Sequence, residues 1–123
     1  MNAAEKKVSG AWGEEQAARY LSKHGYRVLE KNYLVRGGEI DLIAENREYL
    51  VFVEVKLRKN ADFGEAKEFV GYGKQNRVRL AAMHYLSEHE TDLQPRFDVI
   101  EIYGERGTPY RKLEIHHIEN AFE

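Results

Sequence analysis

Cysteine is absent from this chain of 123 residues. Its absence removes a disulfide scaffold, a thiol nucleophile and thiolate metal sites. No apolar run approaches the roughly 20 residues that a membrane-crossing helix needs. The opening stretch MNAAEKKVSGAWGEE is polar and has no secretory core, so a cytoplasmic location with no membrane partner is expected. Excess positive charge is missing too. The chain has 19 Lys and Arg against 21 Asp and Glu, a net charge of −2, whereas nucleic-acid binders are usually basic overall. There is no internal repeat, low-complexity tract or linker-like stretch. The expectation is one domain over residues 1–123, with the first few and last few residues as candidates for disorder. What is present is a folded composition, 42% hydrophobic and 33% charged. A domain of this size buries about two-thirds of its unfolded surface and needs no staple.

Residues 10–24 (GAWGEEQAARYLSKH) read as a helix, with Ala17, Ala18 and Leu21 at helical spacing and Gly25 placed to end it. Tyr26–Leu34 reads as a strand, Arg36-Gly37-Gly38 as a turn and Glu39–Ala44 as a second strand. After a turn at residues 45–48, Tyr49–Leu57 (YLVFVEVKL) is the clearest strand in the sequence. Residues 58–72 read as a loop with a short helical piece near Ala66–Val70. Lys74–Glu88 reads as a second long helix with Val78, Ala81, Ala82, Tyr85 and Leu86 on one side. Phe97–Tyr103 and Lys112–Ile118 complete five strands. The predicted class is α/β, a mixed five-stranded sheet flanked by helices in the order αβββαββ, its first three strands an antiparallel meander.

The placement of charge carries the chemical information. Along the third strand Val51, Val53, Val55 and Leu57 alternate with Phe52, Glu54, Lys56 and Arg58. In the second strand Ile40, Leu42 and Ala44 form the apolar set, while Glu39, Asp41 and Ile43 face the other way. The hairpin between these strands can bring Asp41 onto the face of Glu54. Two adjacent carboxylates repel unless a cation separates them. A hard divalent ion such as Mg²⁺ or Mn²⁺ is the usual solution. Lys56 would then orient a water or stabilise charge developing on a phosphate. The plainer reading of Glu-x-Lys is a solvated strand face with ordinary ion pairs.

Glu14 sits at the start of the first helix's inner face. It reads either as a third carboxylate over the metal or as an acid favoured by the helix dipole. Gln75 stands at the inner start of the second helix, either as a donor to phosphate or metal-bound water or as a capping or buried amide. Lys74, Arg77 and Arg79 occupy a stretch free of acids. With Tyr72 and Arg58 they could form a phosphate-tracking patch, against the alternative of a solvated helix face. Asp98 reads either as a fourth acid near the site or, mainly, as a partner of Arg96 or another structural base. His24, His84, His89, His116 and His117 lack metal-ligand spacing and read as surface residues.

Asp41, twelve intervening residues, then Glu54-Val55-Lys56 resembles the D…(D/E)xK core of the PD-(D/E)XK nuclease superfamily. The whole chain resembles the YraN-like family of small bacterial proteins, which is similar to archaeal Holliday-junction resolvases. The matching pieces are Gly13-Glu14 with Ala17 and Tyr20-Leu21, Gly25-Tyr26 with Asn32-Tyr33, and Gly38-Glu39-Ile40-Asp41-Leu42-Ile43-Ala44. Val51-Phe52-Val53-Glu54-Val55-Lys56, Phe63-Gly64, Lys74-Gln75 and Arg96-Phe97-Asp98-Val99 follow in order. The resemblance implies a restriction-endonuclease-like fold, metal-ligand roles for Asp41 and Glu54, a catalytic role for Lys56, a supporting acid at Glu14 and a helper at Gln75.

The expected function is a Mg²⁺- or Mn²⁺-dependent endonuclease acting on nucleic acid, DNA before RNA, in branched or structured form. The alternatives are a non-catalytic nucleic-acid-binding module on the same fold and a protein–protein adaptor. A homodimer is compatible with the resemblance, although the sequence displays no dimer interface.

Overall fold

The computed structural model describes residues 3–58 and 71–123. The helical piece expected near Ala66–Val70 and the Phe63-Gly64 pair lie outside the described residues. The elements are α1 (Ala3–Lys23), β1 (Arg27–Val35), β2 (Gly38–Glu45), β3 (Tyr49–Arg58), α2 (Tyr72–Glu88), β4 (Gln94–Tyr103) and β5 (Glu114–Phe122), with a 3-10 turn at Tyr110–Lys112 before β5. The strands form one sheet in the order β1-β2-β3-β4-β5. β3 and β4 pair in parallel and every other neighbouring pair is antiparallel. The mixed five-stranded α/β sheet follows the order read from the sequence.

Local chemistry sets the ends of the elements. Gly25 adopts a φ of +88° just past α1. Tyr26 N–H then reaches back to Leu21 O at 3.0 Å, which closes the helix through a left-handed glycine. The β2–β3 turn is held by Asn46, whose Oδ1 accepts from Glu48 N at 2.9 Å and Tyr49 N at 2.7 Å.

Each face of the sheet carries its own core. Ala17, Ala18 and Leu21 of α1 pack on Leu42, Ala44, Val51, Val53, Ile100 and Ile102. Val78, Ala81, Ala82 and Tyr85 of α2 pack on Ile40, Ile43, Leu50 and Phe52 on the opposite face. Burial of a side chain such as Phe52 contributes about 1.5–3 kcal/mol. Because β3 is covered on both faces, an acid on it meets protein rather than water.

Several expectations are corrected. α1 begins at Ala3 rather than at residue 10, and β5 runs from Glu114 to Phe122 rather than ending at Ile118. Ile40 does not share a face with Leu42 and Ala44, because it joins Ile43 under α2. The alternation breaks at Asp41. There the neighbouring β1 carries Asn32 in a left-handed conformation (φ 53°), between the pairs Lys31↔Leu42 and Tyr33↔Ile40. The β2–β3 register runs from Glu45↔Leu50 to Leu42↔Val53 and stops. β2 and β3 therefore part at Asp41 and Glu54.

Candidate active site

The fork between β2 and β3 is where the acids gather. Asp41 accepts Val55 N–H on Oδ2 at 2.9 Å, so its side chain takes over where the strand ladder ends. Burial pushes the Asp41 carboxyl up, and Glu39 adds to this, while Val55 N–H, Lys74 and Lys56 pull it down. Glu54 is only 2% exposed. Burial and the nearby Asp41 push its carboxyl from the ordinary 4.5 up to about 8, against the pull of Lys74 and Lys56. Its Oε2 lies 3.6 Å from Lys74 Nζ. Its Oε1 is buried with no hydrogen-bond partner among the described residues, a costly state for a carboxyl oxygen.

Glu14 reaches the same place from α1. Burial and the nearby Asp41 raise its carboxyl to about 7, against the opposing pull of Asn32. Since α1 starts at Ala3, Glu14 lies well inside the helix, and an explanation by the helix dipole no longer applies. Lys56 lowers both Asp41 and Glu54 through its charge. Glu14, Asp41, Glu54 and Lys56 thus share one electrostatic neighbourhood.

The expected basic patch does not stay together. Lys74 belongs to the acid cluster, with Nζ at 2.6 Å from Glu39 Oε1. Burial pulls its ammonium down, but Glu39, Glu54 and Asp41 together outweigh that and raise it. Arg77 Nη2 also meets Glu39 Oε1, at 3.1 Å. Lys74 and Arg77 hold Glu39 below the usual carboxylate range, mainly through the Lys74 hydrogen bond. Arg79 turns away. Its Nε donates to Glu123 O at 2.6 Å and its Nη2 to Gln75 Oε1 at 2.9 Å. Gln75, expected as a phosphate helper, thereby gives its amide oxygen to Arg79. Arg58 is mostly buried, 3.6 Å from Glu101 Oε2, which corrects its place in a solvent-facing patch. Tyr72 is 76% exposed at the start of α2.

Sequence reasoning missed two contributors, Glu39 as an anchor for Lys74 and Asn32 as a partner of Glu14. The only advance sign of the first was that Glu39 shares a strand face with Asp41. The second had no local sign, since Asn32 acts through cross-strand register.

Asp98 belongs to a separate network on the α1 side. It accepts from Arg96 Nε at 2.9 Å and Nη2 at 2.8 Å, from Asn120 N at 3.0 Å, and bonds His117 Nε2 at 2.7 Å. Burial opposes its charge, yet these donors hold its carboxyl below the usual range. The Arg96 partnership was expected. The burial of His117 was not: it pairs with Ile100 across β4 and meets the fully buried Asp98 two residues along that strand. A groove of about 550 Å³ opens beside this network, lined by Tyr49, Arg96, Phe97, Asn120 and Phe122 among others. It lies toward the other end of β3 from Glu54, so this concavity is not where the acids converge.

The donor set at the fork suits a hard divalent cation. Asp41 and Glu54 offer oxygen ligands, and both carboxyls are raised, chiefly by burial. Glu54 Oε1 has no donor among the described residues. Among the described residues no group of three acidic or histidine side chains stands at metal-holding spacing. Asp41 and Glu54 would supply two carboxylates, a number Mg²⁺ commonly accepts.

The profile of a family described as "Uncharacterised protein family UPF0102" matches residues 13–102. That span takes in Glu14, Asp41, Glu54, Lys56, Lys74 and Asp98. The chain is similar to a UPF0102 protein of Caldanaerobacter subterraneus subsp. tengcongensis, 45% identical over 125 residues that cover 99% of this chain and 100% of the relative. It is 44% identical over 118 residues to one of Pelotomaculum thermopropionicum, covering 95% of this chain and 97% of the relative. A relative from Flavobacterium psychrophilum is 39% identical over 119 residues, 97% of either chain. Similarity at this level, end to end, runs through both helices and all five strands, and the chain belongs to the UPF0102 (YraN-like) family.

Proposed function

We propose that this protein is a divalent-metal-dependent endonuclease that hydrolyses phosphodiester bonds in branched or structured DNA, on a restriction-endonuclease-like fold. The observation that carries the reading is the carboxyl pair at the β2–β3 fork, with Asp41 half-buried and Glu54 buried, Glu54 having an oxygen unpartnered among the described residues, beside a lysine on the same strand. A surface ion-pair array would leave its acids solvated and its oxygens satisfied. Asp41 and Glu54 would hold Mg²⁺ or Mn²⁺. When bound, such an ion polarises a phosphate and lowers the pKa of a coordinated water.

The chain's own groups supply the rest. Lys56 brings a fixed positive charge to the phosphate on which negative charge develops. Glu14, with a carboxyl near 7, can take up or release a proton close to neutral pH. Val55 N–H keeps Asp41 in one orientation, so the ligand oxygen need not be ordered during the reaction. Burial by α2 and the sheet limits competing water around Glu54.

The test combines metal binding with cleavage of a four-way DNA junction. Asp41→Asn keeps an acceptor for Val55 N–H and should lose Mn²⁺ binding by calorimetry. Lys56→Ala should retain metal and junction binding while cleavage falls on the order of 10²-fold or more. Lys56→Ala cleaving at the wild-type rate would overturn the role of Lys56. Junction binding that weakens with salt, without any metal-dependent turnover in the wild type, would replace this reading with a non-catalytic binding module.

A further inference from the structure

We infer that Lys74 is a built-in counter-ion, held at the edge of the carboxylate pair while metal is absent and displaced from Glu54 when a divalent cation binds. This rests on the metal site proposed above and extends it to Lys74, which comes from α2 rather than from the fork itself.

The geometry divides the ammonium's two contacts. Lys74 Nζ holds Glu39 Oε1 at 2.6 Å, a strong charge-assisted hydrogen bond. It stands 3.6 Å from Glu54 Oε2, close enough for attraction and too far for a hydrogen bond. Displacement from Glu54 thus breaks no hydrogen bond, and Glu39 remains as the pivot. Glu39 is also secured by Arg77 Nη2 at 3.1 Å, so it stays charged and in place as Lys74 swings. The Lys74 side chain is partly exposed, which leaves a route toward solvent.

The root of that side chain cannot drift. A Cβ built on Gly38 would lie 2.7 Å from Arg77 O and 3.0 Å from Ala81 N, so the α2 backbone rests directly on β2 beside Glu39. Movement is therefore confined to the lysine side chain. A divalent ion between Asp41 and Glu54 would repel the ammonium and swing it about Glu39, away from Glu54. The displaced ammonium is then a cation next to the metal, able to meet a phosphate oxygen of the substrate. Metal loading and phosphate capture become linked through one side chain.

The experiment measures Mn²⁺ affinity by calorimetry at constant pH for the wild type, Lys74→Gln, Arg77→Gln and Asp41→Asn. Both glutamine variants remove one positive charge from Glu39, but only the first removes the charge facing Glu54. Lys74→Gln should bind Mn²⁺ on the order of tenfold more tightly than wild type, the scale expected for one unit charge within about 4–6 Å. Arg77→Gln should change affinity less than about threefold, because its charge is screened by Glu39 and solvent. Melting curves check that each variant is folded. Lys74→Met serves in place of the glutamine variant if that protein does not fold. Equal tightening in the Lys74 and Arg77 variants would show general charge alone and overturn the displacement. If the Lys74 variant binds no more tightly than wild type while Asp41→Asn abolishes binding, only the displacement fails. If Asp41→Asn binds Mn²⁺ like the wild type, the carboxylate metal site fails and the displacement with it.

Discussion

Replacing Glu54 by Gln should make the metal-free protein more stable, and increasingly so as pH rises. The folded carboxyl lies near 8 against an ordinary value of 4.5. A folded value above the unfolded one means that the native state holds this proton more tightly. Its stabilising contribution is complete below about pH 4.5 and is lost as pH climbs through about 8. At pH 7 the unfolded chain has released the proton and the folded chain has largely kept it, which costs the fold about 3 kcal/mol relative to acid conditions. Gln keeps the shape and carries no such cost at any pH.

The variant's stability curve should therefore separate from that of the wild type by about 2–4 kcal/mol between about pH 5 and pH 8. Near neutral pH this corresponds to roughly 10 °C in melting temperature for a domain of this length. Urea unfolding across that range, with a chelator present, measures the difference, and unchanged slopes with denaturant would confirm the same two states. Glu14, near 7, tilts both curves alike, so the separation rather than either slope is diagnostic. Adding Mg²⁺ at the alkaline end should stabilise the wild type and leave the variant unmoved. Parallel curves would refute the reasoning, since they would mean that the folded Glu54 ionises as it does in the unfolded chain.

Asp98→Ala should destabilise the fold by about 3–5 kcal/mol in thermal or urea melts, because it strands the buried Arg96 and His117 without their shared acceptor. A loss under about 1 kcal/mol would show that Arg96 finds another partner. Gly38→Ala should cost about 1–3 kcal/mol, since its Cβ would press on the α2 backbone at Arg77 O. A melting temperature equal to the wild type would show that α2 can move off β2 freely, against the fixed root assigned to the Lys74 side chain.

Much of the fold was legible because it rests on local periodicity. The apolar alternation in YLVFVEVKL and the helical spacing of Val78, Ala81, Ala82 and Tyr85 are signals inside single elements, and the structure uses both. Gly25 ended its helix because the left-handed conformation there suits glycine. Ile40 was misplaced because alternation assumes an unbroken strand, whereas β2 breaks step at Asp41, opposite the left-handed Asn32 of β1. His117 was misread for the same kind of reason. An isolated strand histidine looks solvent-facing, and only the β4–β5 pairing sets it against Asp98.

The site divides along similar lines. Asp41, Glu54, Lys56 and Glu14 were nameable in advance, since acids on apolar stripes are conspicuous in sequence and the D…ExK spacing is local to one hairpin. Lys74, Arg77, Arg79 and Arg58 could not be sorted that way. All four read as surface cations, and their separation depends on what stands opposite each one. Lys74 and Arg77 meet Glu39, Arg79 meets Gln75 and the chain's last residue, and Arg58 meets Glu101. The sequence by itself determined the order of elements, the two apolar faces and the identity of the acids, because periodicity and residue chemistry act over a few positions. The tertiary structure decided which charges are buried, which cation faces which acid and which oxygen is left without a donor among the described residues, because electrostatic energy depends on distances between segments far apart in the chain.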